Sequence, residues 1–184
     1  MNNLIAISAP SGAGKSTLCR GLQVKYTEIL FSISSTTRPQ RDNEKNGYDY
    51  DFISDIEFSE KIQTNKFIEF EEVHGYYYGT PKANIDDAIT NNRYLLLEVD
   101  VNGALKIKKA YPEQTVTVFI TLPDVNDLLK RLRKRGTESE ERINKRMERI
   151  EMELDLKNDF DYCIINDDFD RALNKLVKII GIET

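Results

Sequence analysis

The stretch SAPSGAGKST, Ser8 to Thr17, constrains the fold more than any other part of the chain. It follows the apolar run LIAIS, Leu4 to Ser8, which reads as a buried strand. From Ser16 it passes into a helical pattern with Leu18, Cys19 and Leu22 on one side. A strand that ends in a glycine-rich turn and restarts as a helix aims the N–H groups of the turn at one point, where phosphate oxygens fit. Gly12 and Gly14 let the backbone approach a ligand closely, Lys15 reaches β- and γ-phosphates, and the Ser16 hydroxyl suits magnesium. The pattern is G-x-x-x-x-G-K-[S/T] with Ala9 at the first glycine. Ala9, Pro10, Ser11, Gly12, Ala13, Gly14, Lys15, Ser16 and Thr17 are therefore expected to wrap the phosphates of a nucleoside triphosphate.

The remaining pattern predicts an α/β fold. RYLLLEVD (Arg93 to Asp100), TVTVFIT (Thr115 to Thr121) and DYCIIN (Asp161 to Asn166) read as buried strands, and FSIS (Phe31 to Ser34) alternates like one. Helical patterns fill Gly103 to Ala110, Asp124 to Lys134, Glu140 to Leu156 and Asp168 to Ile180. Strands alternating with helices imply a mainly parallel sheet covered on both faces. The stretch from Ser34 to Pro81 breaks this rhythm and reads as an inserted lobe. It holds a polar loop, a helix opened by a Ser54–Glu57 capping box, the half-buried strand FIEFEEV (Phe67 to Val73), and a second helix start with Thr80 as N-cap and Pro81 at the first helical position.

With 184 residues the chain suits one domain with a sizeable core. Its net charge of -5 gives no global attraction to nucleic acid or acidic membranes, so an anionic ligand must be held by a local basic cluster. Cys19 and Cys163 lie in apolar stretches without metal-ligand spacing and are expected to be buried free thiols. The N-terminus has no basic leader and no stretch is apolar enough to span a bilayer, so a cytoplasmic protein is expected.

The phosphate loop alone does not separate a GTPase, a motor ATPase and a small-molecule kinase. A GTPase should also carry N-K-x-D to read its base; that motif is absent, and NDDFD (Asn166 to Asp170) does not match it. SSTTRPQR, Ser34 to Arg41, places two arginines beside Pro39. Their planar forks suit a monophosphate, although taken alone the segment reads more readily as a solvated basic loop.

SSTTRPQR, NGYDYDF, FIEFEEVHGYYYGTP, LLLEVDVNGALKIK and RLRKRGTESEERINKR occur in the order found in guanylate kinases, and the resemblance covers Leu4 to about Ile180. It implies transfer of the γ-phosphoryl of ATP to GMP with Mg2+, giving ADP and GDP. It also implies a core of 2–33, 82–130 and 158–183, a GMP-binding lobe of 34–81, and a mobile lid of about 131–157. By resemblance Ser34, Glu69 and Thr80 would read the guanine, and Arg38, Arg41, Tyr50 and Tyr78 would hold the GMP phosphate. Glu98 and Asp100 would lie beneath the ribose and magnesium, with Ser16 and Asp100 as metal ligands. Lys15, Arg38, Arg131, Arg135 and Arg146 would serve catalysis, the last three of these arginines from the lid, and Asn166 would lie near the adenine. The family also implies dGMP as an acceptor and is compatible with a homo-oligomer. Ala9 and Asn102 depart from the usual glycine and glutamine, and RDNEKNGYDY departs slightly after the second arginine, without removing a charge the chemistry needs.

The chemistry fits these residues. Guanine offers adjacent N1–H and N2–H donors that one carboxylate can accept, whereas adenine offers an acceptor at N1. Tyrosine hydroxyls donate to phosphate without adding charge. Arginines near the transferring phosphoryl, with no covalent intermediate and no catalytic base, suffice for such a transfer. His74 is assigned no catalytic role. Two rival readings remain: a peptide-binding scaffold domain of the same fold, disfavoured by Lys15, Ser16, Arg38 and Asp100, and a kinase for another phosphorylated acceptor.

Overall fold

A computed structural model describes residues 3–73, 75–124, 126–128 and 140–182, with 140–146 described as helical backbone. Its centre is a five-stranded parallel sheet in the order β2-β7-β1-β8-β9. The strands are β1 (Leu4–Ser8), β2 (Leu30–Phe31), β7 (Leu95–Glu98), β8 (Thr115–Thr121) and β9 (Tyr162–Ile165). β1 lies in the middle, fully buried, because a strand covered by helices on both faces must be apolar on both. Its residues alternate between two cores. Ile5 and Ile7 pack with Leu18 and Leu22 of α1 (Lys15–Lys25) and with Leu173 and Leu176 of the C-terminal helix α6 (Phe169–Ile180). Leu4 and Ala6 pack on the opposite face with Ile85 and Ala88 of α3 (Lys82–Thr90) and with Ala104 and Ile107 of α4 (Val101–Ala110). Each fully buried aliphatic side chain contributes roughly 1.5–3 kcal/mol by leaving water.

The stretch that interrupts the alternation forms a second sheet, β4-β3-β6-β5, of β3 (Ser35–Thr36), β4 (Asp51–Phe52), β5 (Phe67–Val73) and β6 (Tyr76–Pro81). α2 (Asp55–Gln63) covers it with Phe58, whose ring lies 4.6 Å from Phe67 and 5.5 Å from Tyr77, centroid to centroid. β5 and β6 are antiparallel, and a bulge between Phe67 and Glu69 sets Glu69 directly opposite Thr80. α5 (Glu140–Asp155) and a short 3-10 turn lead into β9.

Several expectations are corrected. Phe31 to Ser34 is not one strand: Phe31 ends β2 in the central sheet, Ser35 begins β3 in the other, and Ser34 lies where the chain crosses between them. Thr80 and Pro81 are the last residues of β6. Pro81, with extended backbone, is itself the cap of α3, and Thr80 is held in the ladder opposite Glu69. Ser54 does accept from the Glu57 N–H and caps α2 as expected. Cys19 is buried, but Cys163 is exposed, because β9 is an edge strand. The helix expected from Asp124 to Lys134 runs mostly outside the described residues, as does His74.

Candidate active site

The C-terminal edge of the central sheet gathers the first part of the site. The parallel register puts Ile7 beside Glu98, so the ends of β1 and β7 open onto the same point. The loop after β1 carries Gly12 at φ +93° and Gly14 at φ +91°, left-handed conformations that favour glycine. A Cβ on Gly14 would collide with the Asn166 side-chain amide, which donates from Nδ2 to the Ala13 carbonyl at 2.7 Å. Asn166 thus ties the end of β9 to the loop. α1 starts from Gly14 with no side chain capping it. The first-turn N–H groups of an α-helix have no intrahelical partner, so an anion is the complement this end lacks. Lys15 Nζ donates to the Val99 carbonyl at 2.9 Å and lies 3.8 Å from Glu98, while the Ser16 hydroxyl donates to Glu98 Oε1 at 2.5 Å.

Asp100, just beyond β7, accepts the Gly103 N–H at 2.7 Å and so caps α4; its other oxygen accepts from Arg149 at 3.3 Å. Arg149 stands on α5 and also bonds Glu153 at 2.9 Å. Burial pushes the Glu153 carboxyl up, against the opposing pull of Arg149. Arg149 and Glu153 line a cleft of about 430 Å³ together with the phosphate loop and Glu69. They belong to the site although the sequence did not single them out. Their i,i+4 spacing looks like any solvated helical ion pair; only the approach of α5 to Asp100 distinguishes it.

The second part lies in the lobe. Arg38 makes a two-pronged pair with Glu44, at 2.7 and 3.0 Å, and its Nε donates to the Tyr78 hydroxyl at 3.2 Å. Arg38 packs over Tyr50 at 5.5 Å, and Tyr50 meets Tyr78 edge to face at 5.8 Å. Glu44 also accepts the Arg41 N–H at 2.9 Å. Burial would raise the Glu44 carboxyl, but the Arg38 hydrogen bonds and the Arg41 amide outweigh it and hold it below the usual range. Burial and nearby Glu98 push Tyr50 up to about 12, so it stays a hydroxyl donor. The two arginines are therefore not alike: Arg38 is half-buried and matched by Glu44, whereas the Arg41 side chain is 69% exposed. Glu44 is a site residue that composition hides, since an acid in a basic loop reads as solvation.

Glu69 is 7% exposed, and its Oε1 accepts from the Thr80 hydroxyl at 2.5 Å. Burial is the largest influence on Glu69; the Thr80 bond opposes it, Asp100 adds to it, and the carboxyl is raised to about 7. A second cleft, of about 560 Å³, runs from Ser16 and Arg20 to Arg38 and Tyr48. The two clefts share Ser16, Ser34, Arg41, Tyr50, Tyr78 and Glu98, so these predicted residues face one continuous space. Among the described residues no group of three or more His, Cys, Asp or Glu is placed to hold a metal, and no helix is long and apolar enough to cross a membrane. Arg131 and Arg135 lie outside the described residues; Arg146 lies on the helical backbone of α5, without a described side chain.

Fold and site together define a parallel α/β protein with a glycine-rich loop between its central strand and first helix, and a separate lobe facing that loop. The guanylate kinase family model matches residues 1–183. Curated relatives named guanylate kinase include one from Maricaulis maris, 44% identical over 98% of this chain and 83% of its own length. Another, from Caldanaerobacter subterraneus, is 44% identical over 98% and 87%. A crystal structure of guanylate kinase from Anaplasma phagocytophilum superposes with a TM-score of 0.81 at 29% identity, covering 97% of this chain and 84% of that one. The chain belongs to the guanylate kinase family.

Proposed function

We propose that the protein transfers the γ-phosphoryl group of ATP to GMP, with the triphosphate on the loop of Ala9–Thr17 and GMP in the lobe. The observation that carries this reading is the shared wall of the two clefts: the phosphate loop and Glu69 line one, the arginine–tyrosine cluster lines the other, and both include Ser16, Tyr78 and Glu98, so a triphosphate, a base and an acceptor phosphate reach one continuous space. In the transfer, a GMP phosphate oxygen forms the new bond to the γ-phosphorus as the bond to the β-phosphate oxygen breaks. Neither a covalent intermediate nor a base is needed, so the work is positioning and charge. Lys15 and the loop N–H groups would stabilise the charge on the transferring group. Arg38, Arg41, Tyr50 and Tyr78 would hold the acceptor phosphate, with Glu44 keeping the Arg38 fork in place until phosphate competes for it. Ser34, Glu69 and Thr80 would read the base; Asn166 would border the adenine.

The donors beside the loop fit Mg2+, which binds few protein oxygens and completes its shell with water and phosphate. Ser16 and Asp100 line the same cleft as the loop and bring it a hydroxyl and a carboxylate. Ser16 and Asp100 would hold the ion, which when bound neutralises charge on the β- and γ-phosphates. Arg131, Arg135 and Arg146 are proposed to complete the positive surround, dGMP to serve as a second acceptor, and the cytoplasm to be the place of action. Phosphorus-31 NMR of a mixture of ATP and GMP with the protein tests the reaction. ADP and GDP should appear in equal amounts as ATP and GMP disappear. Release of inorganic phosphate without GDP would contradict the assignment.

A further inference from the structure

We propose that Gly103 is a specificity-determining position: by lacking a side chain, it fixes where the base-reading carboxylate of Glu69 stands. The proposal rests on the reading of Glu69 as the acceptor for guanine. Gly103 is the third residue of α4, capped by Asp100, and α4 packs against β5, the strand that carries Glu69. A Cβ built on Gly103 would lie 2.9 Å from Glu69 Oε2, 3.0 Å from Glu69 Cδ and 3.1 Å from Asp100 Oδ1. These distances fall inside the ~3.5 Å at which such atoms rest in contact.

Glycine is the poorer helix former, and at this position it gains nothing from backbone freedom, since its φ is not in the left-handed region. Its place in the helix is explained by the carboxylate that occupies the space. The carboxylate is bounded on the other side as well: Thr80, directly across the ladder, donates to Oε1 at 2.5 Å. Glu69 is therefore clamped between a hydroxyl and a bare Cα. A methyl group on Gly103 pushes the carboxylate away from α4, against or off the Thr80 hydroxyl. Once displaced, it meets N1–H and N2–H of guanine in poorer alignment, and a paired acceptor loses strength as the angles open. Gly103 touches no substrate in this account; it is a positioning residue acting through Glu69.

The test compares GMP with IMP, which keeps N1–H but lacks the 2-amino group, in the parent, Gly103→Ala, Glu69→Ala and the double variant. In Gly103→Ala the GMP-to-IMP ratio of kcat/KM should fall at least fivefold, with KM for GMP rising at least tenfold and KM for ATP changing less than twofold. Disturbance of Asp100 alone would lower turnover with both acceptors and leave that ratio unmoved, so the ratio separates the two contacts. In the Glu69→Ala background, adding Gly103→Ala should leave the ratio unchanged, since the group it displaces is gone. A ratio altered by Glu69→Ala but not by Gly103→Ala overturns the proposal and spares the reading of Glu69. A ratio untouched by Glu69→Ala overturns that reading, and the proposal with it. If Gly103→Ala melts below the assay temperature, recovery of the fold in the double variant reports the same contact, and failure to recover counts against it.

Discussion

To accept from both guanine donors as proposed, Glu69 has to be ionised, yet it is almost fully buried, and burial favours the neutral acid. Burial, only partly offset by Thr80 and reinforced by Asp100, lifts it from 4.5 to about 7. The sign follows: kcat/KM for GMP should rise as pH increases through about 7, because the free enzyme then presents a carboxylate. The same raised carboxyl contributes stability that is full below pH 4.5 and lost as pH rises through about 7, since between those values the folded state holds the proton more tightly than the unfolded chain. In Glu69→Gln both pH limbs should vanish, and kcat/KM for GMP should fall by about 2–4 kcal/mol in transition-state terms, with little change for ATP. A pH series of initial rates and thermal melts on the two proteins checks this. At Lys15, whose ammonium is held beside Val99 and Glu98, replacement by Met should leave the melt unchanged and lower kcat by roughly a hundredfold or more. Near-normal turnover in a folded Lys15→Met protein would remove that role.

At the scale of elements, the lobe depends on one aromatic seam. Phe58 of α2 is 1% exposed between Phe67 and Tyr77, and this packing holds the β5–β6 ladder on which Glu69 faces Thr80. Phe58→Ala should destabilise the protein by about 3–5 kcal/mol, read from urea unfolding, and raise KM for GMP before KM for ATP. The elements themselves were unevenly legible. The sequence pattern of β1, β5 and β8 coincides with their bounds, because five to seven residues of apolar or alternating pattern carry the signal. The two-residue strands β2, β3 and β4 owe their existence to partners in the ladder and have too few residues to show a period. For the same reason the alternation of Phe31 to Ser34 resembles one strand where the chain changes sheets. The phosphate loop was legible because its geometry requires particular residues at particular spacing. Glu44, Arg149 and Glu153 were not, because what singles them out is a partner remote in the fold or hidden among like charges.

For the whole molecule, the clefts lie between the central sheet and the lobe, and a surface pair crosses there: Arg20 of α1 bonds Asp49 of the lobe at 2.9 Å. With the Arg20 side chain 71% exposed, that bond contributes at most about 1 kcal/mol, too little by itself to oppose closure. Closure on two substrates should then reduce the radius of gyration. Small-angle scattering of the protein saturated with a bisubstrate analogue, compared with the protein alone, should show the decrease; equal radii would argue for a preformed site. Phosphoryl transfer from ATP to GMP, chosen by its base, is tested most directly by kcat/KM for ADP release with ATP and, in turn, GMP, AMP, CMP and UMP. GMP should be preferred over each of the others by at least about a hundredfold, the discrimination expected when a wrong base leaves buried polar groups unpaired. Equal rates for GMP and AMP, or a preference for any of the other three, would contradict it.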